Sequence, residues 1–131
     1  MSFERGKIKH KGRRQQIIDW SGIRYNNITC SDIDGGFDIR GNIFVFCDIK
    51  LENAPFENGE RWYYEALVNN LKKPAIAIIA RHNIFNISQE VPAHECRVDQ
   101  YYIGKSHDWI KPKNTIKLKE AIDIFLNKHN F

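Results

Sequence analysis

Several features that define large classes of protein are absent from this sequence. Its three cysteines are an odd number without close spacing, which argues against a disulfide framework and against a zinc site of the Cys-x-x-Cys type. No apolar run approaches the ~20 residues of a membrane span, and the basic N-terminus lacks the apolar core of a signal peptide. These absences predict a reducing, cytoplasmic location and no membrane partner.

Common catalytic motifs are missing as well. The chain has no glycine-rich phosphate loop, which leaves a nucleoside-triphosphatase function without support. It has no Gly-x-Ser-x-Gly elbow and no credible cysteine nucleophile. His82, His94 and His107 are scattered without metal-ligand spacing, so we interpret them as surface or loop residues.

What the sequence does hold is a core of ordinary size and an uneven charge. Its 131 residues, 42% of them hydrophobic, suffice for a single domain over residues 1–131. The net charge is +4, and residues 1–12 are interpreted as a flexible basic arm. Four cations in or just after this arm are candidates for contacts with a phosphate backbone: Lys9, Lys11, Arg13 and Arg14. The alternative is a solvated, frayed terminus.

Periodicity and turn residues predict an α+β fold with a central sheet flanked by helices. Residues 15–20 could form a helix or a strand. The later elements predicted are strands at 37–39 and 43–50, a helix at 60–71, a strand at 75–80, a strand at 95–103 and a helix at 115–127. On the helix at 60–71, the spacing of Tyr63, Ala66, Leu67, Asn70 and Leu71 predicts the buried face.

The strand at 43–50 ends in two charges, which is unusual for a core strand. Because side chains on a strand alternate between its faces, Asp48 and Lys50 should share a face with Phe44 and Phe46. Charges on such a strand are normally paired or functional.

A hairpin can bring Asp34 beside Asp48 at the open end of the sheet. Two carboxylates with a backbone carbonyl, for which Ile49 is the candidate, form a hard oxygen site suited to Mg²⁺ or Mn²⁺. On the same face, Lys50 could orient the attacking water or neutralise charge on a phosphate. Metal, water and ammonium together suit phosphodiester hydrolysis.

This segment resembles the active-site signature of the PD-(D/E)XK nuclease superfamily, where an Asp precedes a hairpin and Asp or Glu, any residue, and Lys close its second strand. Asp48-Ile49-Lys50 matches the second half, and Asp34 is the best match to the first. Residues 23–50 also resemble small nuclease-like proteins of phages and mobile elements, since Ser31-Asp32-Ile33-Asp34-Gly35 matches their Thr-Asp-Ile-Asp-Gly turn. Gly59-Glu60 stands where those proteins have Gly-Gln.

The resemblance implies a restriction-endonuclease-like core of the order α-β-β-β-α-β, and a Mg²⁺- or Mn²⁺-dependent endonuclease that cuts DNA in the cytoplasm of a host cell. It places Asp34, Asp48, Lys50 and Glu60 in the catalytic set, with Asp34, Asp48 and the Ile49 carbonyl as metal ligands. The small size favours structure-selective or weakly sequence-specific cutting, from a homodimer or within a larger nucleoprotein assembly. Arg61 and the Lys72-Lys73 pair are further candidates for contacts with nucleic acid.

Four alternatives stay open on the residues alone. Asp32 could replace Asp34 as the metal ligand if the turn has a different register. Asp48 and Lys50 could be a simple ion pair at a strand end, and Glu60 could serve only its helix N-terminus. The whole chain could also be a catalytically silent nuclease-fold module that binds nucleic acid or a protein partner, as an inhibitor or regulator.

Overall fold

The computed structural model describes residues 16, 19, 21–29 and 33–131. The arm at 1–12, the four cations from Lys9 to Arg14, and Asp32 lie outside these residues. The chain divides into two units, residues 1–32 and residues 33–131, and the prediction of a single domain stays a prediction.

In the first unit, strands β1 (Arg24–Tyr25) and β2 (Ile28–Thr29) pair antiparallel. The turn between them places Asn26 and Asn27 at φ values of 50° and 67°. This left-handed conformation suits a two-residue hairpin, and asparagine adopts it more readily than most residues do.

The second unit is built on a four-stranded mixed sheet in the order β3-β4-β5-β6. Its strands are β3 (Gly35–Ile39), β4 (Ile43–Leu51), β5 (Ala75–His82) and β6 (Arg97–Ile103). The central pair β4–β5 is parallel, and the two outer pairs are antiparallel.

One helix packs on each face of this sheet. Helix α1 (Asn58–Asn70) connects β4 to β5, and helix α2 (Leu118–Lys128) closes the unit. A 3₁₀ turn at Ala93–Glu95 precedes β6. The α+β prediction of a mixed sheet flanked by helices is therefore confirmed. Neither α1 nor α2 combines the length and the apolar surface that a membrane span needs.

The two faces of β4 follow the predicted alternation. Val45 and Cys47 are buried in the core on the α2 side, whereas Phe44 and Phe46 pack on the α1 side. Because parallel strands in a sheet covered on both faces are buried on both sides, β5 carries the continuous apolar run from Ala75 to Ala80.

The predicted buried face of α1 is wrong by one residue. Tyr64 and Val68 are each 1% exposed, whereas Tyr63 is 37% exposed, and Ala66 is exposed as well. The packing of α1 on the β6–α2 connection helps to set this rotation, because Val68 lies so close to Gly104 that a Cβ there would be 3.2 Å from the Val68 carbonyl oxygen.

Candidate active site

The structure brings Asp34, Asp48, Lys50 and Glu60 together at the C-terminal end of β4. Asp34 lies immediately before β3, and the pairing of Gly35 with Cys47 sets it beside the last residues of β4. Glu60 lies in the first turn of α1, which follows β4. The cluster thus lies at the C-terminal ends of the two parallel strands, next to the region where open α/β sheets bind ligands.

Asp34 takes the place of a backbone acceptor next to β4. Its Oδ2 accepts a hydrogen bond of 2.7 Å from the Ile49 N–H. In an extended strand the N–H and C=O of one residue point to the same edge, so the Ile49 carbonyl also faces the Asp34 side, beyond the start of β3. Two carboxylates and this carbonyl are all oxygen donors of the kind that Mg²⁺ and Mn²⁺ prefer.

The surroundings of Asp48 oppose the ionisation of its carboxyl group. It is 7% exposed, and burial, a hydrogen bond with Asp34 and the negative charges of Asp34 and Glu60 raise its pKa to about 7, against the opposing effect of Lys50. Like charges this close resist simultaneous ionisation. A proton retained on Asp48 and donated in its hydrogen bond to Asp34 relieves the conflict, and a divalent cation at the same place would also do so.

Lys50 is held between two acids. Its Nζ lies 2.6 Å from Glu60 Oε2 and 3.8 Å from Asp48 Oδ2. Its side chain is 12% exposed, so the ammonium is fixed above the cluster and is not free to move through solvent.

Glu60 has two partners that explain its position. Its Oε1 accepts the backbone N–H of Glu57 at 3.3 Å, as in a capping box at the start of α1, while Oε2 binds Lys50. Burial opposes ionisation of Glu60, but the hydrogen bonds from Lys50 and the Glu57 N–H, together with the charge of Lys50, hold its pKa below the usual range. Glu60 is therefore the ionised partner of Lys50.

Tyr64 completes the cluster from one turn further along α1, and sequence reasoning missed this role. Burial, then the charges of Asp48 and Asp34 and a hydrogen bond with Asp48, raise the pKa of its hydroxyl. Tyr63 and Tyr64 are the same residue type at adjacent positions, so the local sequence did not indicate which of the two faces the cluster.

A β-bulge in β6 brings a second polar group to the α1 side of the sheet. Ile79 pairs with Gln100, whereas the next residue, Ala80, pairs with Val98, which leaves Asp99 as the extra residue. Gln100 thereby lies on the same face as Asp48, with which it shares a level across β5, and it is 7% exposed. The sequence carried a signal of this bulge, because Val98 and Tyr101 are both apolar yet lie three residues apart.

Arg61, a candidate for nucleic-acid contact, makes its contacts with other side chains of the protein. Its Nη1 donates to Gln100 Oε1 at 3.1 Å, and its guanidinium lies 4.4 Å from the Phe56 ring centroid and 5.5 Å from that of Trp109. Gln100 Nε2 in turn donates to Asp99 Oδ2 at 3.1 Å. The chain of contacts fixes the start of α1 to β6.

Arg81 extends this network to the loop between β4 and α1. Its Nε donates to Asp99 Oδ2 at 3.2 Å, and its Nη1 reaches the carbonyl oxygens of Leu51, Glu52 and Ala54 at 3.1, 3.4 and 2.6 Å. Both ends of this loop carry site residues, Lys50 before it and Glu60 after it. Arg81 therefore braces the connection that sets their separation.

The described residues thus place four predicted catalytic residues and Ile49 in one cluster and Arg61 beside the network that supports it. Within residues 33–131 no group of three or more His, Cys, Asp and Glu side chains is arranged to hold a metal ion. No family model, curated protein or solved structure matches the chain.

Proposed function

We propose that this protein is a Mg²⁺-dependent nuclease that hydrolyses phosphodiester bonds in DNA, with structure-selective or weak sequence specificity. The observation that carries the proposal is the convergence of Asp34, Asp48 and Lys50 at the C-terminal end of β4. Two adjacent carboxylates without a cation would destabilise the fold, because their mutual repulsion and the burial of Asp48 disfavour the ionised state. A bound cation gives their proximity a reason.

Each residue has a role that its position supports. Asp34, Asp48 and the Ile49 carbonyl would hold Mg²⁺ or Mn²⁺, which when bound supplies a water of lowered pKa and polarises a phosphate oxygen. Lys50, fixed by Glu60, presents its ammonium beside Asp48, where it orients the attacking water or neutralises charge on the phosphate. Glu60 is a positioning residue for Lys50.

Membership of the PD-(D/E)XK superfamily is part of the proposal. The order of β3, β4, α1 and β5 in residues 33–131 fits the β-β-α-β portion of the expected core, with the Asp-x-Lys residues on the second of these strands. Because those nucleases carry their metal-binding residues at this position, the fit supports the assignment of Asp34, Asp48 and Lys50.

The test is metal-dependent cleavage by a Lys50→Ala variant. We expect loss of at least ~100-fold in the rate of DNA cleavage with Mg²⁺ or Mn²⁺, the usual contribution of a positioned acid–base or charge-stabilising group. Lys119→Ala is the matched control, since Lys119 also pairs with an acid, Asp123, at 2.7 Å but on the exposed surface of α2. Lys50→Gln keeps most of the side-chain length and removes the charge, so it serves as a second test variant if Lys50→Ala does not fold. Undiminished cleavage by both folded Lys50 variants would refute the mechanism.

A second function is favoured by one observation. The Lys50 ammonium is already bound to Glu60 at 2.6 Å, and this Glu stands where the similar phage proteins have Gln. A catalytically silent module that binds nucleic acid or a protein would keep this ion pair as structure. Calorimetric titration of the wild type with Mg²⁺ or Mn²⁺ separates the two functions: binding that disappears in Asp48→Asn supports the nuclease, and absence of binding in the wild type supports the silent module.

A further inference from the structure

A cavity of about 270 Å³ lies at the C-terminal end of α1, away from the catalytic cluster. Three lysines line it, Lys72, Lys73 and Lys105, together with His129. We call this feature the lysine groove. Val68 and Phe125, both buried, belong to its apolar lining.

The positive charge of the lysine groove is not balanced locally. Its lining contains no acidic side chain, and its lysines make no ion pair within the described residues. Elsewhere on the unit, Lys117 pairs with Glu95 at 3.6 Å and Lys119 with Asp123 at 2.7 Å. Favourable interaction with the α1 dipole accounts for cations next to its C-terminus, but it does not account for Lys105, which lies after β6.

The turn that presents Lys105 is held in a fixed shape. Lys105 adopts φ 67°, and its N–H donates to Asn69 Oδ1 at 2.6 Å. Next to it, the Gly104 N–H donates to the Ala75 carbonyl at 3.2 Å, and the Tyr102 hydroxyl donates to the Ser106 carbonyl at 2.5 Å. The groove is therefore preformed on the protein side, which reduces the entropic cost of binding.

The lysine groove and the catalytic cluster lie at opposite ends of α1. Helix α1 carries the chain ten positions from Glu60 to Asn70, about 15 Å along its axis at 1.5 Å per residue, and Lys72 lies two residues beyond its end. Successive phosphates on one DNA strand are about 3.4 Å apart along the duplex axis. For a strand that follows the direction of α1, a separation of about 15–20 Å spans about five nucleotides.

We propose that the lysine groove binds the phosphate backbone of the nucleic acid about five nucleotides from the cleaved bond. This inference rests on the proposed nuclease function for the position of the cut, whereas the binding itself does not require catalysis. It assigns a minimum length to a tightly bound substrate, because a fragment that ends before the groove loses these contacts.

The test compares two variants that remove equal charge. In the first, the groove lysines are changed (Lys72→Ala, Lys73→Ala and Lys105→Ala). In the control, the exposed lysines at 113, 117 and 119 are changed to alanine. Binding of a fluorescein-labelled DNA duplex is measured by anisotropy in EDTA, where no cleavage occurs, at a series of salt concentrations.

We expect the groove variant to bind more weakly and the slope of log K against log salt to fall by about 2 to 3, since each lost phosphate contact removes about 0.9. The control should change the slope by less than about 1. The difference between the variants should vanish for duplexes that reach fewer than ~5 nucleotides to either side of the bound site. Equal slopes in the two variants, or a difference independent of duplex length, would overturn the inference.

Two further measurements keep this inference separate from the proposed function. If the groove variant loses binding while the wild type never cleaves DNA with Mg²⁺ or Mn²⁺, the groove stands as a backbone site and the nuclease proposal falls. If Lys50→Ala abolishes cleavage but the groove variant binds and cleaves long duplexes as the wild type does, the groove inference alone falls. Loss of binding to phosphatidylserine vesicles without loss of DNA binding would identify a membrane surface and overturn it as well.

Discussion

Replacement of Asp48 by asparagine should stabilise the protein at high pH in the absence of a metal. Asp48 has a pKa of about 7, against an ordinary value of 3.8, because it is buried next to Asp34 and Glu60. An asparagine amide can donate to the Asp34 carboxylate as a protonated Asp48 does, but it carries no charge to bury. The variant therefore keeps the hydrogen bond and removes the repulsion.

The sign of the pH dependence follows from the raised pKa. A carboxyl group that binds its proton more tightly in the folded state contributes its full stability at low pH and loses it as the pH rises through about 7. The interval from 3.8 to about 7 sets a ceiling of about 4 kcal/mol at 1.36 kcal/mol per pKa unit. Because solvent at the exposed Asp34 screens part of the charge, we expect about 2 kcal/mol in total.

The assay is urea denaturation followed by circular dichroism in EDTA, between about pH 5 and pH 8.5. The free energy of unfolding of Asp48→Asn minus that of the wild type should grow by about 1 kcal/mol over this range, because the part of the loss that falls between pH 3.8 and pH 5 is already present at its start. Glu60 and Asp99, whose pKa values are lowered, stay ionised throughout and do not contribute to the change. Asp123→Asn, an exposed member of an ion pair on α2, is the control and should shift by less than about 0.5 kcal/mol. A difference that is flat with pH would refute the raised pKa of Asp48.

Two more predictions concern the core. Burial, with the charges of Asp34 and Asp48, raises the pKa of the Cys47 thiol to about 12, so a thiol reagent at about pH 8 should modify Cys47 only after unfolding; modification of the native protein at this position, detected by mass spectrometry, would contradict the burial. Gly104→Ala should lower the free energy of unfolding by about 1–3 kcal/mol, because the added Cβ meets the Val68 backbone at 3.2 Å. Its control is Gly59→Ala, which places a Cβ in open space on α1 and should raise the free energy of unfolding by about 0.5–1 kcal/mol. Equal effects of the two substitutions on the urea midpoint would show that the contact with Val68 is not tight.

The sequence predicted the parts of the site that depend on strand geometry. The alternation of side chains has a period of two and little freedom, so Asp48 and Lys50 had to share a face once β4 was recognised. The acidic turn had to lie near them because the hairpin at Arg40 and Gly41 is short. Convergence of Asp34 with this strand end follows from those two facts.

The parts that the sequence did not predict depend on contacts between elements. The rotation of α1 is not encoded in its own periodicity, because Tyr63 and Tyr64 are equally able to face the core; the close approach of Val68 to Gly104 belongs to tertiary packing. The position of Gln100 depends on a bulge opposite Ile79 and Ala80. Tyr64 and Gln100 were therefore not predicted, because the sequence did not show which side of their element faces the site. Both are polar or amphipathic residues, for which hydrophobic patterns give weak signals.

The contacts of Arg81 have a consequence for the order in which the cluster of Asp34, Asp48, Lys50 and Glu60 gains its support during folding. Arg81 lies near the end of β5, yet it satisfies three carbonyl oxygens of the loop that leaves β4. The loop can therefore reach its final shape only after the chain has passed through α1 and β5 has docked beside β4. A nascent chain that ends before residue 81 contains Asp34, Asp48, Lys50 and Glu60 but lacks the side chain that braces the loop between Lys50 and Glu60.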